Sequence, residues 1–135
     1  GLHLGTPCQS FSRVRGLGPG PPAIRSDVEP MGLSTLTRAG DILAVQTGNI
    51  LLRHSCRIFQ CCVVHEVPVT MENPATSRLW ITPSVLHLLR RRAVSMCVTE
   101  FCMWGKPWRK STKFMHAHID LSDVGCVRCL GSPPG

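Results

Sequence analysis

Ile42-Leu-Ala-Val-Gln-Thr-Gly-Asn-Ile-Leu-Leu-Arg-His-Ser-Cys-Arg-Ile-Phe-Gln-Cys-Cys-Val63, followed at once by Val67-Pro-Val-Thr-Met71, decides the fold class. Ile42, Val45, Leu52, Cys56, Phe59 and Val63 recur at three- and four-residue steps once Asn49 fills the gap, which predicts one long helix with an amide in its buried stripe. Asp41 or Ser34 is placed to cap its start. Gly48 lowers helix propensity in the middle of the segment and signals a close backbone approach there. Val67 to Met71 reads as a buried strand that ends at Glu72-Asn73-Pro74.

Outward from this pair the elements alternate. Leu2 to Thr6 reads as the end of a short strand running into Pro7-Cys8-Gln9-Ser10-Phe11-Ser12. The chain enters that strand directly after Gly1, which suggests a piece of something longer. Arg13 to Gly32 is too rich in Gly and Pro for a regular element and is expected to be a long basic loop. On the other side, Thr82-Pro83 starts a helix over Ser84 to Arg92, whose three arginines suit a C-terminal turn. Ala93 to Phe101 is a third strand, Trp104 to Lys110 a basic aromatic loop, and Lys113 to Ile119 a fourth strand. Strand, helix, strand, helix, strand predicts an α/β fold with a mostly parallel sheet and flanking helices. In such sheets ligands sit outside the C-terminal ends of the strands, so Cys8, Glu72 and the Trp104 to Lys110 loop are expected to converge.

The bulk properties narrow the options. With 135 residues, 43% hydrophobic and 17% charged, the chain has the length of one domain and enough apolar residues for a core. A net charge of +7 favours an anionic partner, nucleic acid first. No apolar run approaches the ~20 residues of a membrane helix, and no secretory leader pattern is visible. Cys56, Cys61, Cys62, Cys97 and Cys102 lie in apolar runs and read as small core residues of a reduced, intracellular protein of nucleus or cytoplasm. Cys126-Val-Arg-Cys129 with His116 and His118 has a loose zinc-like spacing, which is not taken as a metal site.

A thiolate is the strongest common side-chain nucleophile, and a carboxyl group sharing a proton polarises a ring under attack, so Cys8 with Glu72 suits addition to an electron-poor heterocycle. Each residue also has a plainer explanation: Cys8 as a turn cysteine, Glu72 as a surface carboxylate, Trp104 and Trp108 as packing residues, Arg90 to Arg92 as a solvated helix end. A zinc deaminase is set aside because Pro7-Cys8 has no second cysteine at the required position, and an amino-methyltransferase of the Asn-Pro-Pro-Tyr type because the chain has no tyrosine.

Gly5-Thr-Pro-Cys-Gln-Ser-Phe-Ser12 resembles the Pro-Cys-Gln nucleophile motif of DNA cytosine C5 methyltransferases, and Glu72-Asn73 resembles that family's Glu-Asn motif. Asn73 is followed by Pro74 where the family usually has Val. Glu72 to Trp80 and Trp104 to Lys110 resemble a divergent branch found in viral or mobile-element methylase-like proteins. The resemblance covers Leu4 to about Lys113. It implies a partial Rossmann-like methyltransferase sheet, with residues 1–120 as part of a catalytic domain, 13–33 as its catalytic loop and 121–135 as a frayed end. It further implies that Cys8 adds to C6 of a flipped cytosine while Glu72 hydrogen-bonds N3 and Arg109 helps it bind the base. Gln9, Ser10, Ser12 and Asn73 would position loop and substrate, and Arg13 and Arg15 would meet phosphates. The partner implied is DNA, and the cofactor is S-adenosylmethionine. The Gly-rich strand-to-helix turn that binds this donor in the family has no counterpart here. The expected function is therefore a cytosine C5 methyltransferase-like piece, inactive alone and awaiting the remainder of a longer polypeptide. The alternative is a methylase relic that binds nucleic acid without turnover.

Overall fold

A computed structural model describes residues 1–125. Its strands are β1 (Leu2–Gly5), β2 (Val69–Pro74), β3 (Val94–Glu100) and β4 (Ser111–Ala117), and its helices are α1 (Ala39–Val64) and α2 (Pro83–Leu89). Single 3-10 turns stand at Gln9–Phe11, Arg78–Ile81 and Phe101–Trp104. The sheet order is β1-β2-β4-β3. β1 and β2 are parallel, and β4 runs antiparallel to both of its neighbours, so β1, β2 and β3 all point the same way. The expectation of a mostly parallel sheet is thus corrected to a mixed one. The reason lies in chain length: only residues 101–110 join β3 to β4, fewer than the dozen or more that a parallel crossover requires. Gly105 closes that turn with φ +79°, in the left-handed region that suits a residue without Cβ. The longer β2-to-β3 connection through α2 leaves a gap one strand wide, which β4 fills.

One face of the sheet carries the core. Val69, Met71, Met115, Ala117 and Val94 form a single apolar cluster with Leu52, Cys56, Phe59 and Cys62 of α1 and Val85 and Leu88 of α2, so both helices lie on that face. α1 is the long helix that the periodicity predicts, with corrections in its stripe. Asp41, not the half-exposed Ile42, faces inward at its start, Gly48 rather than Asn49 is the buried residue at mid-helix, and Cys62 rather than Val63 is buried near its end. Its N-cap is Arg38, with no side-chain cap bond, so neither Asp41 nor Ser34 caps it. Cys61 is exposed, unlike the core cysteine expected. α2 stops at Leu89, because Arg90 is its C-cap and Arg91 and Arg92 lie beyond it.

No helix or strand forms between residues 12 and 38, as the Gly/Pro content dictates, yet the loop is not loose. Arg25 is 1% exposed and all five of its N–H groups donate: Nε to Ser10 O, Nη1 to Pro30 O and Asn49 Oδ1, and Nη2 to Ser10 Oγ and Val45 O, at 2.7–3.1 Å. Its guanidinium stacks 3.8 Å from the Phe11 ring centroid, and burial lowers its pKa to about 10, which leaves it charged at neutral pH. Asn49 Nδ2 donates to Met31 O at 2.8 Å and completes the tie between loop and helix.

Gly48 is the close approach that its sequence position suggested. A Cβ there would overlap Ser10 Oγ and stand 2.9 Å from Arg25 Nη2. Gly48→Ala is expected to destabilise the chain by about 1–3 kcal/mol by chemical denaturation, although alanine is worth about 1 kcal/mol over glycine inside an ordinary helix. A stabilised Gly48→Ala variant would show that Arg25 does not hold the loop against the helix.

Candidate functional site

The C-terminal ends of β1 and β2 lie side by side, with Gly5 opposite Glu72 in the parallel ladder. A cleft of about 320 Å³ opens between them, lined by Thr6, Pro7, Cys8, Glu72, Asn73 and Lys110 among others. The two chemically loaded residues singled out in the sequence, Cys8 and Glu72, therefore meet at one site.

Cys8 is held from both sides. Before it, buried Thr6 donates its hydroxyl to Ser55 Oγ of α1 at 2.9 Å, and its carbonyl accepts from Asn73 Nδ2 at 2.7 Å. After it, the 3-10 turn Gln9–Phe11 begins with Phe11 N donating to Cys8 O at 2.9 Å, and the Phe11 side chain is fully buried under Arg25. Cys8 itself is only partly buried, so its thiol is within reach of solvent. Cys56 offers a contrast inside the same chain: burial pushes its thiol up to about 11, which keeps it protonated and unreactive near neutrality.

Alternation along β2 decides what each side chain does. Val69, Met71 and Asn73 point to the covered face, whereas Thr70, Glu72 and Pro74 point to the other. Asn73 is 2% exposed, and its Nδ2 donates to Thr6 O and to Glu72 O, which ties the ends of β1 and β2 together, while its buried Oδ1 has no hydrogen-bond partner among the described residues. Glu72 lies on the open side and has Lys110 Nζ 3.8 Å from Oε1. Arg109, expected beside Glu72, donates instead to Glu100 Oε1 from Nε and Nη2. Lys110 is the cation of the cleft, one residue from the position that the motif suggested.

The remaining expectations separate. Ser10 is buried and bonded by Arg25, and with Gln9 it borders a different hollow, of about 340 Å³, against Gly48 and Leu51. Ser12 Oγ accepts from Val14 N. Arg13 pairs with Asp27 at 2.8 Å and also donates to Thr76 O, and Arg15 pairs with Asp41 at 2.6 Å. Both arginines therefore brace the loop through ion pairs, Arg13 at the surface and Arg15 in a more buried setting. The Arg13 hydrogen bond, with Arg78 assisting, holds the Asp27 carboxyl below its ordinary value. Trp104 and Trp108 are about half exposed, with Lys106 over the Trp108 ring. His116 and His118 contact the carbonyls of Ile119 and Val63, Cys126 and Cys129 lie outside the described residues, and among the described residues no three metal-ligating side chains cluster.

The donor implied by the resemblance finds no cradle among the described residues. Residues 6–38 separate β1 from α1, and residues 75–82, with no glycine among them, separate β2 from α2, so neither strand passes through a glycine turn directly into a helix. The residues present do not fit S-adenosylmethionine. No helix among them is long and apolar enough to cross a membrane. No protein-family model, no curated protein and no solved structure matches the chain.

Gly5 lines the cleft, and a Cβ there would meet nothing within 4 Å, so a side chain can be added at this wall without a clash. Gly5→Val is expected to leave the denaturation midpoint unchanged or raised, because valine suits a strand, and to slow alkylation of Cys8 by a bulky maleimide roughly ten-fold. Unchanged Cys8 reactivity would show that the thiol is approached from elsewhere.

Proposed function

We propose that the chain is the nucleophile-bearing part of a cytosine C5 methyltransferase-like α/β domain, and that its cleft takes an unstacked cytosine from DNA. The observation that carries this reading is the meeting of Cys8 and Glu72, far apart in sequence, in one cleft at the C-terminal ends of parallel strands. In the reaction the Cys8 thiolate forms a bond to C6, and the electron pair of the C5–C6 double bond moves to C5. Glu72 shares its proton with N3 and so takes up the charge that addition places on the ring. C5 is then nucleophilic, and without a methyl donor it takes a proton from water; loss of the original C5 hydrogen to water then supplies the electron pair that restores the C5–C6 double bond as the thiolate leaves, and the proton on N3 returns to Glu72. Support for a nucleic-acid partner comes from the net charge of +7 and from the exposed Trp104, Lys106 and Trp108 of the β3–β4 connection, since base stacking on exposed aromatics is sequence-tolerant and basic side chains meet phosphates.

This chemistry is readable without the donor. Exchange of the cytosine C5 hydrogen for deuterium in heavy water, on a single-stranded or mismatched oligonucleotide, is expected with the full chain, absent with Cys8→Ser, and slowed roughly a hundred-fold with Glu72→Gln. Salt-sensitive binding with no exchange would replace this reading with that of a non-catalytic nucleic-acid-binding module. A fluorocytosine adduct that forms only when S-adenosylmethionine is added would overturn the conclusion that the donor does not fit.

A further inference from the structure

Between Asp41 and Glu66, and again between Glu72 and Glu100, the sequence holds no Asp or Glu, and these two stretches carry nearly all of α1 and the whole of α2. The helical layer is therefore built almost without negative charge. Asp41, the one carboxylate of α1, stands in its first turn and pairs with Arg15. Arg53, Arg57, Arg78 and Arg90 to Arg92 fall in the same stretches, and among the described residues Arg78 alone of these pairs with a carboxylate, that of Asp27.

Arg53 and Arg57 are four residues apart on α1, which sets them on one side of the helix about 6 Å apart along its axis. Together with His87 of α2 they line a groove of about 370 Å³ between the two helices, with Gln60 and Ser84 beside them and the buried Cys56 and Leu88 beneath. Both arginines and His87 are exposed, and among the described residues none of the three side chains has a hydrogen-bond or ion-pair partner. Like charges one turn apart repel, and no carboxylate of either helix offsets that repulsion. The groove therefore selects an anion: a cation would meet two guanidiniums and an imidazole, and an apolar ligand would leave the guanidiniums unanswered. Cys56 adds no opposing charge, because burial pushes its thiol up to about 11. Donors on both walls suit the tetrahedral oxygens of a phosphate better than the planar pair of a carboxylate, and arginine is the side chain whose forked N–H groups match phosphate oxygens.

We infer that the groove between α1 and α2 is a phosphate-binding site, in which Arg53 and Arg57 hold the phosphate oxygens from one helix and Ser84 and His87 meet them from the other. None of these residues lines the Cys8 cleft, so the site stands whether or not that cleft takes a cytosine. An arginine pair whose mutual repulsion is relieved only by a ligand costs stability until the ligand arrives, which marks a binding feature and not a structural one. The phosphate belongs to a nucleic-acid backbone or to a small phosphate-bearing molecule, and the two sources are separable by experiment.

Thermal unfolding of the full chain is compared in sodium phosphate and in sodium chloride of matched ionic strength at one pH, for the native sequence and for the double variant Arg53→Gln/Arg57→Gln. About 10 mM phosphate is expected to raise the unfolding temperature of the native sequence by roughly 3 °C. The double variant, whose substitutions are at exposed positions, is expected to melt in chloride at the same temperature or slightly higher and to gain nothing from phosphate. The general stabilisation by phosphate excluded from protein surfaces acts alike on both chains, so their difference reads the site. An equal gain in both overturns the proposal. A second readout needs no variant: the imidazole resonances of His87 shift on titration with inorganic phosphate, whereas those of His3, on the opposite face of the sheet and bonded to Thr70, stay in place. Equal movement of the two histidines overturns a localised site. Binding of a short oligothymidylate, followed by fluorescence anisotropy, then identifies the source. Roughly ten-fold weaker binding by the double variant, with a shallower salt dependence, assigns the phosphate to a nucleic-acid backbone. Equal oligonucleotide binding by both chains, with the phosphate response kept, assigns it to a small phosphate-bearing molecule.

Discussion

The buried guanidinium of Arg25 is the interaction on which the site depends. Burying a charge is costly unless its hydrogen bonds are made, and no carboxylate lies within ion-pair distance of Arg25 among the described residues. Five donated bonds and the Phe11 ring stand in for that counter-charge. Because four of the acceptors belong to the turn after Cys8 and to the first half of α1, the arginine welds an otherwise irregular loop to the longest helix. Gly48 is the sequence's accommodation of this weld, a residue without Cβ where the guanidinium must reach the helix backbone. The turn that begins at Cys8 inherits its rigidity from Ser10, which Arg25 hydrogen-bonds, and from Phe11, on whose ring it stacks.

Much of this arrangement is legible in the sequence, and the parts that are not have physical causes. The long helix was readable because apolar spacing at 3.6 residues survives one glycine and one asparagine, and the strand ends were readable because Pro7 and Pro74 punctuate them. The direction of β4 was not, since hydrophobic pattern records which face of a strand is buried and carries no sign of its direction. Only the shortness of the β3–β4 connection held that information. Arg25 was missed for another reason. A lone arginine in a Gly/Pro-rich, basic loop looks the same whether it is solvated or fully buried, and the only trace of its burial was the costly glycine at position 48. The resemblance assigns Arg13 and Arg15 to phosphates, and in the fold Asp27 and Asp41, distant in sequence, pair with them. Identification of the acidic partners of a basic loop requires the fold.

The alternation of side chains across the sheet separates scaffold from chemistry residue by residue. On β2, Asn73 faces the helices and ties the strand ends, while its neighbour Glu72 faces the cleft. Where the chain enters β4, Arg109 and Ser111 grip Glu100, while Lys110 between them lines the cleft. In both cases a structural residue sits next to a chemical one with opposite orientation, so a shift of register by one residue would exchange their roles and bury a charge. Register is therefore strongly specified at this end of the sheet, and the pairing of Gly5 with Glu72 on one side and of Glu72 with Phe114 on the other fixes it. The two cations ahead of β4 part in the same way: the buried carboxylate of Glu100 takes Arg109, the residue to which the resemblance points, and Lys110 next to it lines the cleft beside Glu72, a division that no reading along the chain could make because Glu100 reaches Arg109 only across the β3–β4 connection.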